Sequence, residues 1–176
     1  MVACTFRSLL VSLSVGCAVI AFGGGRLGAL AHAAESSAQI AGEPILVVGG
    51  SIAAGQERSY TRDEFEAMGL SSLTTRTPWN QEPVEFSGVR LSTFLRRIGA
   101  TGRVLRVTAL NDYVTTIPVE DVKYDPILAT RRNGKAMAIR DKGPIFIIYP
   151  FDEDKALNSE LFFSRCAWQV KSIQVE

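Results

Sequence analysis

Apolar residues recur in three different rhythms along this chain. Leu91, Phe94, Leu95 and Ile98 fall at i, i+3, i+4 and i+7, with Arg96 and Arg97 between them and Gly99 behind. That spacing predicts an amphipathic helix that stops where glycine can turn left-handed. A shorter helix is expected at Thr61-Arg62-Asp63-Glu64, where the threonine hydroxyl accepts from the amide three residues on and the glutamate reaches back. Phe65 and Met68 share its apolar face, with Gly69 expected as its left-handed cap.

The second rhythm is that of strands: Pro44 to Val48, Ser71 to Thr77, Val84 to Phe86, Val104 to Leu110, Tyr113 to Ile117, Ile127 to Arg131, Ala136 to Ile139, Pro144 to Tyr149 and Ala167 to Val175. Pro78 ends the run at Thr77, because proline cannot donate to a ladder. Asn133-Gly134 lies between two runs, and both residues tolerate the positive φ of a tight hairpin. Pro118 to Asp121 opens one short turn of helix. Phe151 to Ser164 reads as a loop whose Leu161-Phe162-Phe163 fold back onto the body. Two short early helices in a chain otherwise rich in strands predict an α+β fold with a mixed, curled β-sheet core.

The third rhythm has no period. Leu9 to Phe22 is an apolar run that follows Arg7 and gives way to glycines and then Ala31-His32-Ala33. A basic residue, a short apolar run and a small-x-small site have the form of a secretory leader. Residues 1–33 are therefore expected as a signal peptide, 34–42 as a flexible tail and 43–176 as one domain. The run is short for a bilayer span and no later stretch repeats it, so no membrane insertion is expected after leader removal. A periplasmic or secreted location follows. Arg7 stands without a second arginine, the pattern of the general secretory route. A chain that crosses unfolded acquires any cofactor afterwards.

Leader removal changes the available chemistry. His32, Cys4 and Cys17 leave with it, and Cys166 is then the remaining cysteine, with no histidine. A Ser-His-Asp or Cys-His nucleophile, a histidine-bearing zinc site and an intrachain disulfide are all excluded from such a chain. Of the 19 Lys and Arg, Arg7 and Arg26 also leave, against 18 Asp and Glu that stay, so nothing in the charge points to nucleic acid. Roughly 140 residues suffice to bury a core without staples.

Four motifs then occur in a telling order: Phe86-Ser87-Gly88-Val89-Arg90-Leu91, Asn111-Asp112-Tyr113-Val114-Thr115-Thr116-Ile117-Pro118, Ile127 to Gly134, and Trp168-Gln169-Val170-Lys171-Ser172-Ile173. The ordered set resembles the molybdopterin-binding domain of sulfite-oxidase-like oxidoreductases, in particular its small exported single-domain members, over most of Val84 to Val175. The resemblance implies a sulfite-oxidase-like molybdopterin-binding fold. It implies that Tyr113 faces a metal and that the cofactor thiolate falls just before Trp79, within Thr74-Thr75-Arg76-Thr77. No cysteine stands there, and threonine offers the metal neither charge nor polarisable sulfur. The arginine that larger relatives carry in the strand Pro144 to Tyr149 is replaced by Ile145-Phe146-Ile147-Ile148, and the lysine before the final tryptophan by Ala167.

Arg76, Trp79, Asn111, Asp112, Tyr113 and Arg131 are the candidate ligand-binding residues, with Tyr113 the catalytic candidate if the protein is an enzyme. Each has a plainer use. Tryptophans 79 and 168 pack well at a core or rim. Asn111-Asp112 suits a turn. Arg131-Arg132 suits a solvated pair, of which only one can face a given pocket. Lys142 and Asp152 to Lys155 read as charged surface. Cys166 is expected in the core, free cysteine being among the most buried residue types; metal ligation by it is the alternative. No cofactor is expected, with molybdopterin as the alternative. The expectation is a binding module for a small molecule or another envelope protein. The alternative is a periplasmic molybdopterin-dependent oxidoreductase, with backbone amides and arginines on the pterin phosphate and Tyr113 orienting substrate or water.

Overall fold

Residues 42–176 are described by the structure, a computed structural model. The expected signal peptide, and the expected tail apart from its last residue, lie outside the described residues. In chain order the elements are β1 (Pro44–Gly50), β2 (Arg58–Thr61), α1 (Arg62–Glu66), β3 (Leu70–Thr77), β4 (Asn80–Arg90), α2 (Leu91–Ile98), β5 (Val104–Ala109), β6 (Val114–Pro118), β7 (Ile127–Arg132), β8 (Lys135–Ala136), β9 (Phe146–Ile148), α3 (Glu160–Arg165) and β10 (Val170–Val175). Short 3-10 turns lie at Val119–Lys123, Ile139–Asp141 and Lys155–Leu157.

The strands form two five-stranded sheets, so the expectation of a single curled sheet is corrected. One runs β2-β1-β10-β5-β6, the other β3-β4-β7-β8 with β9 also on β7. β1 and β10 are parallel and the other pairs antiparallel. Register explains why one face of each sheet is dry. Val48, Ile173 and Val107 lie in one row across β1, β10 and β5, all fully buried. Val89, Leu128 and Ile147 make the matching row across β4, β7 and β9. Side chains of such a row share one side of the pleat, and both rows belong to one apolar cluster. The mixture of sheets and few helices fits the expected α+β class.

The helix α2 follows its sequence period: Leu91, Phe94, Leu95 and Ile98 are buried, and Gly99 takes φ 61, ψ 48 behind it. Each such side chain removed from water stabilises the fold by about 1.5–3 kcal/mol. Its first turn is capped from a distance, because Ser92 N donates to Asp125 Oδ1 at 2.9 Å. The capping box of α1 is formed as expected by Thr61 and Glu64, and the accepted bonds hold the Glu64 carboxyl below its usual range. Asn133 and Gly134 take φ 48 and 73 and join β7 to β8. Gly88 answers a different demand: a Cβ there would collide with the Leu128 carbonyl across the β4–β7 pair.

Several expectations are corrected. The helix at Thr61 ends earlier, with Ala67 as a right-handed C-cap, and Gly69 sits at φ 145 rather than in the left-handed cap conformation. The run Ala136 to Ile139 is not a strand. Pairing stops after Lys135–Ala136, and Ile139, 58% exposed, begins a 3-10 turn. β2 carried no strand signal because Tyr60 is its one buried residue at a sheet edge. The stretch expected as loop contains α3, which buries Phe162 and leaves Leu161 outside.

Candidate functional site

A cavity of about 460 Å³ opens where four segments meet. Pro78 and Trp79 come from the β3–β4 turn, Asn111 and Tyr113 from the β5–β6 turn, and Glu160, Phe163 and Ser164 from α3. Cys166, Ala167 and Trp168, on the way into β10, form the floor. Its size is that of a small-molecule site.

Local chemistry fixes each turn. The Thr77 hydroxyl accepts from Trp79 N at 3.3 Å and from Asn80 Nδ2 at 3.1 Å, and Asn80 Oδ1 in turn accepts from Arg132 Nη2 at 2.8 Å. At the facing turn Asn111 Oδ1 accepts from Tyr113 N at 3.2 Å, and Asp112 takes φ 62. Tyr113 then reaches over the cavity and donates its hydroxyl to the Ser164 carbonyl at 3.0 Å. The helix α3 is held by a buried acid: Asp121 accepts from Arg165 Nη1 at 2.8 Å and from the Tyr149 hydroxyl at 2.6 Å. Burial first, and that bond to Asp121 second, push the Tyr149 phenol far up.

The walls are aromatic. Trp79 and Trp168 meet edge to face at 5.7 Å, and both lean on Phe146, at 5.8 and 6.2 Å. Tyr113, Trp79 and Trp168 remain 44%, 38% and 37% exposed, so each keeps ring surface open. The Lys142 ammonium lies over all three neighbouring rings, 4.4 Å from Trp79, 4.8 Å from Trp168 and 5.1 Å from Phe146. Burial, and then the Arg132 guanidinium, draw it below the ordinary lysine value. Lys142 is therefore not the plain surface charge its sequence context suggests, because the 3-10 turn and its own φ of 73 aim it inward.

Of the six candidate residues, Trp79, Asn111 and Tyr113 line the cavity. The other three point elsewhere. Arg76 pairs with Asp152 at the surface, at 3.5 Å. Asp112 accepts from Lys171 at 2.6 Å, a bond that holds its carboxyl below the usual range. Arg131 donates to Glu66 at 2.7 and 3.0 Å, on the far side of β7 from Arg132. Cys166 is 2% exposed and unpaired, and burial pushes its thiol up to about 12. Thr75 and Thr77, in the segment where the resemblance puts a thiolate, are buried and hydrogen-bonded within their own turn and to Asp152 N. Glu160 gave no sequence signal, Phe163 read only as apolar chain folding back and Lys142 only as surface charge, since their surroundings depend on partners distant in the chain.

No family model and no curated protein matches this sequence. Among solved structures, the fold is similar to one in the crystal structure of the sulfane dehydrogenase SoxCD from Paracoccus pantotrophus, with a TM-score of 0.55 and 16% identity over 74% of this chain. The match spans 37% of the SoxCD chain. At that identity the likeness is one of fold.

Proposed function

We propose that this protein is an exported binding module built on a sulfite-oxidase-like scaffold, and that the cavity between Tyr113, Trp79 and Trp168 captures a small molecule. The observation that carries this reading is the wall itself: half-exposed aromatic rings around about 460 Å³, Trp79 and Tyr113 held by turn and helix bonds and Trp168 by its packing on Trp79 and Phe146. Apolar walls with a few placed polar groups are what small-ligand sites require. Export rests on the leader-like pattern at Arg7 to Ala33. Among the described residues no helix is long and apolar enough to cross a membrane.

A molybdenum pterin fits these residues poorly. Burial pushes the thiol at hand, Cys166, up to about 12, whereas a metal wants a thiolate. Among the described residues lining the cavity there is a carboxylate, Glu160, and no arginine or lysine to hold a phosphate. Arg76 and Arg131 are engaged by Asp152 and Glu66. The second reading, a periplasmic molybdopterin-dependent oxidoreductase, is favoured by the likeness of fold to the sulfane dehydrogenase. Another envelope protein is the alternative partner, for which Leu110, Val114 and Leu161 offer exposed apolar contacts.

Native mass spectrometry of protein purified from its own envelope tests the proposal. A small organic adduct is expected on the folded chain, lost on mild unfolding and missing from the Trp168→Ala variant. An adduct that survives Trp168→Ala unchanged, or none at any concentration of envelope extract, would overturn it.

A further inference from the structure

Between Arg131 and Lys142 the chain carries five basic side chains and one acidic one, Asp141. Folding gives two of the five a carboxylate: Arg131 turns to Glu66, and Arg140 pairs with Asp141 at 3.6 Å. Arg132, Lys135 and Lys142 take part in no ion pair among the described residues. None of the three lines the cavity, so they form a cluster of their own.

The fold crowds these three charges together. Arg132 and Lys135 are direct cross-strand partners in the β7–β8 hairpin, so their side chains leave the same face, an unfavourable placement for like charges. Their neighbour Arg131 shares the opposite face with Ser87, whose hydroxyl donates to Glu85, and the nearby carboxylates are on that side. Arg132 is steered by Asn80, whose Oδ1 accepts from Nη2 at 2.8 Å, and Trp79 beside Asn80 carries the Lys142 ammonium at 4.4 Å. The backbone of Lys142 is pinned as well, since its carbonyl accepts from Gln169 N at 3.0 Å while Gln169 Nε2 donates to the Ile139 carbonyl at 2.8 Å. After burial, it is the Arg132 guanidinium that draws the Lys142 ammonium down.

Positive charge fixed in place without an answer is costly where water is scarce, and Arg132 and Lys142 are both half-buried. An anion set among them would turn repulsion into charge-assisted hydrogen bonds, from the guanidinium N–H groups that Asn80 leaves unused and from both lysine ammoniums. Three converging cations match more than one negative charge. A spot bounded by a hairpin, a turn and two indoles matches a small ion rather than a polymer. We infer that Arg132, Lys135 and Lys142 bind a small multivalent oxyanion, of the phosphate or polycarboxylate kind, at a site separate from the cavity. Lys142 is its mobile donor, because its stem can swing the ammonium off the rings toward the anion.

The test titrates the purified folded protein with inorganic phosphate, citrate and acetate, at one ionic strength held by sodium chloride so that screening is equal. Calorimetry reads affinity, and tryptophan emission reads the departure of Lys142 from Trp79 and Trp168. Phosphate or citrate is expected to bind saturably, roughly tenfold or more tightly than acetate, and the tighter of the two names the kind of anion. Lys142→Met and Arg132→Gln should each weaken that binding about tenfold, the loss of one bond to a charged group. Lys123→Met removes a lysine that also lies over a ring, that of Tyr124 at 4.7 Å, and should leave the affinity unchanged. In chloride alone Lys142→Met should have a Tm no lower than the unaltered protein, because repulsion is relieved. Acetate binding as tightly as the multivalent anions, no saturable binding of either, affinity that survives both Lys142→Met and Arg132→Gln, or an equal loss in Lys123→Met would each overturn the inference. So would a lower Tm of Lys142→Met in chloride, which would show that its charge is already answered.

Discussion

Around Glu66 the charges of a polar cluster answer one another: the carboxylate accepts from Arg131 and from the Thr130 hydroxyl, while buried Arg62 donates to the Thr130 carbonyl at 2.8 Å. Behind Trp79 and Trp168 the reverse holds, and the Lys142 ammonium lies over three rings with no carboxylate in salt-bridge reach among the described residues. Burial works against the charge of Glu66, yet the bonds from Arg131 and Thr130 hold its carboxyl below the usual range. Burial of Lys142 meets no such answer and draws its ammonium down. The first arrangement is paired by folding except at Arg62 Nε, which is buried without a partner. The second leaves the Lys142 ammonium on aromatic surface without an opposite charge.

Glu66→Ala should break the paired side most severely. Arg62, 6% exposed, and Arg131 would lose their shared anion, at a cost of about 3 kcal/mol in urea-induced unfolding. Ligand capture at the cavity should not change; a parallel loss of capture would show that the two regions are one. The acid limb follows from the same carboxyl. Its folded-state value lies below the unfolded one, so its contribution is complete above roughly pH 4.3 and is lost as pH falls through the folded value. Stability of the Glu66→Ala variant should fall less steeply in that range.

Cys166→Ser comes next, because a hydroxyl placed in the dry floor costs about 1–3 kcal/mol when its bonds are unmet. The raised thiol value makes a second reading possible. Its contribution is complete below the ordinary thiol range of roughly 8.5 and is lost as pH rises toward about 12. The difference between the two proteins should therefore shrink in alkali. Alkylation of native Cys166 at pH 8 should be slow and become complete on unfolding.

Tyr113→Phe removes one bond, to the Ser164 carbonyl, from a residue 44% exposed, so stability should fall by at most about 1 kcal/mol. Capture of the cavity's ligand should weaken all the same; unchanged capture would return Tyr113 to a packing role. Arg76→Ala gives the smallest effect. Its pair with Asp152 is exposed on both sides, and such pairs are worth about 0.5 kcal/mol or less. No change in capture is expected.

What the sequence revealed and concealed divides along a physical line. The period of Leu91 to Ile98, the capping box at Thr61 and the Asn133-Gly134 turn are local, each set by residues within a few positions, and all three form. Tyr113, Trp79 and Asn111 stand out in the sequence because aromatic and turn signals coincide there, and they meet in one cavity. Arg131 and Arg76 looked alike in sequence to anion-holding arginines. Their partners, Glu66 at 65 positions' distance and Asp152 at 76, decide otherwise. Lys142 reaches Trp79 and Trp168 from opposite sides in sequence, so no window of the chain contains its cage. The separate second sheet was hidden for the same reason, since β4 and β7 pair across the whole of α2, β5 and β6.

The central claim, that the cavity holds an organic ligand rather than a sulfur-tethered metal pterin, is tested most directly by measuring molybdenum and titratable Cys166 thiol together on protein purified from its native source. The account predicts no stoichiometric molybdenum and a full equivalent of thiol once the chain is unfolded. One molybdenum per chain, with the Cys166 sulfur blocked, would contradict it.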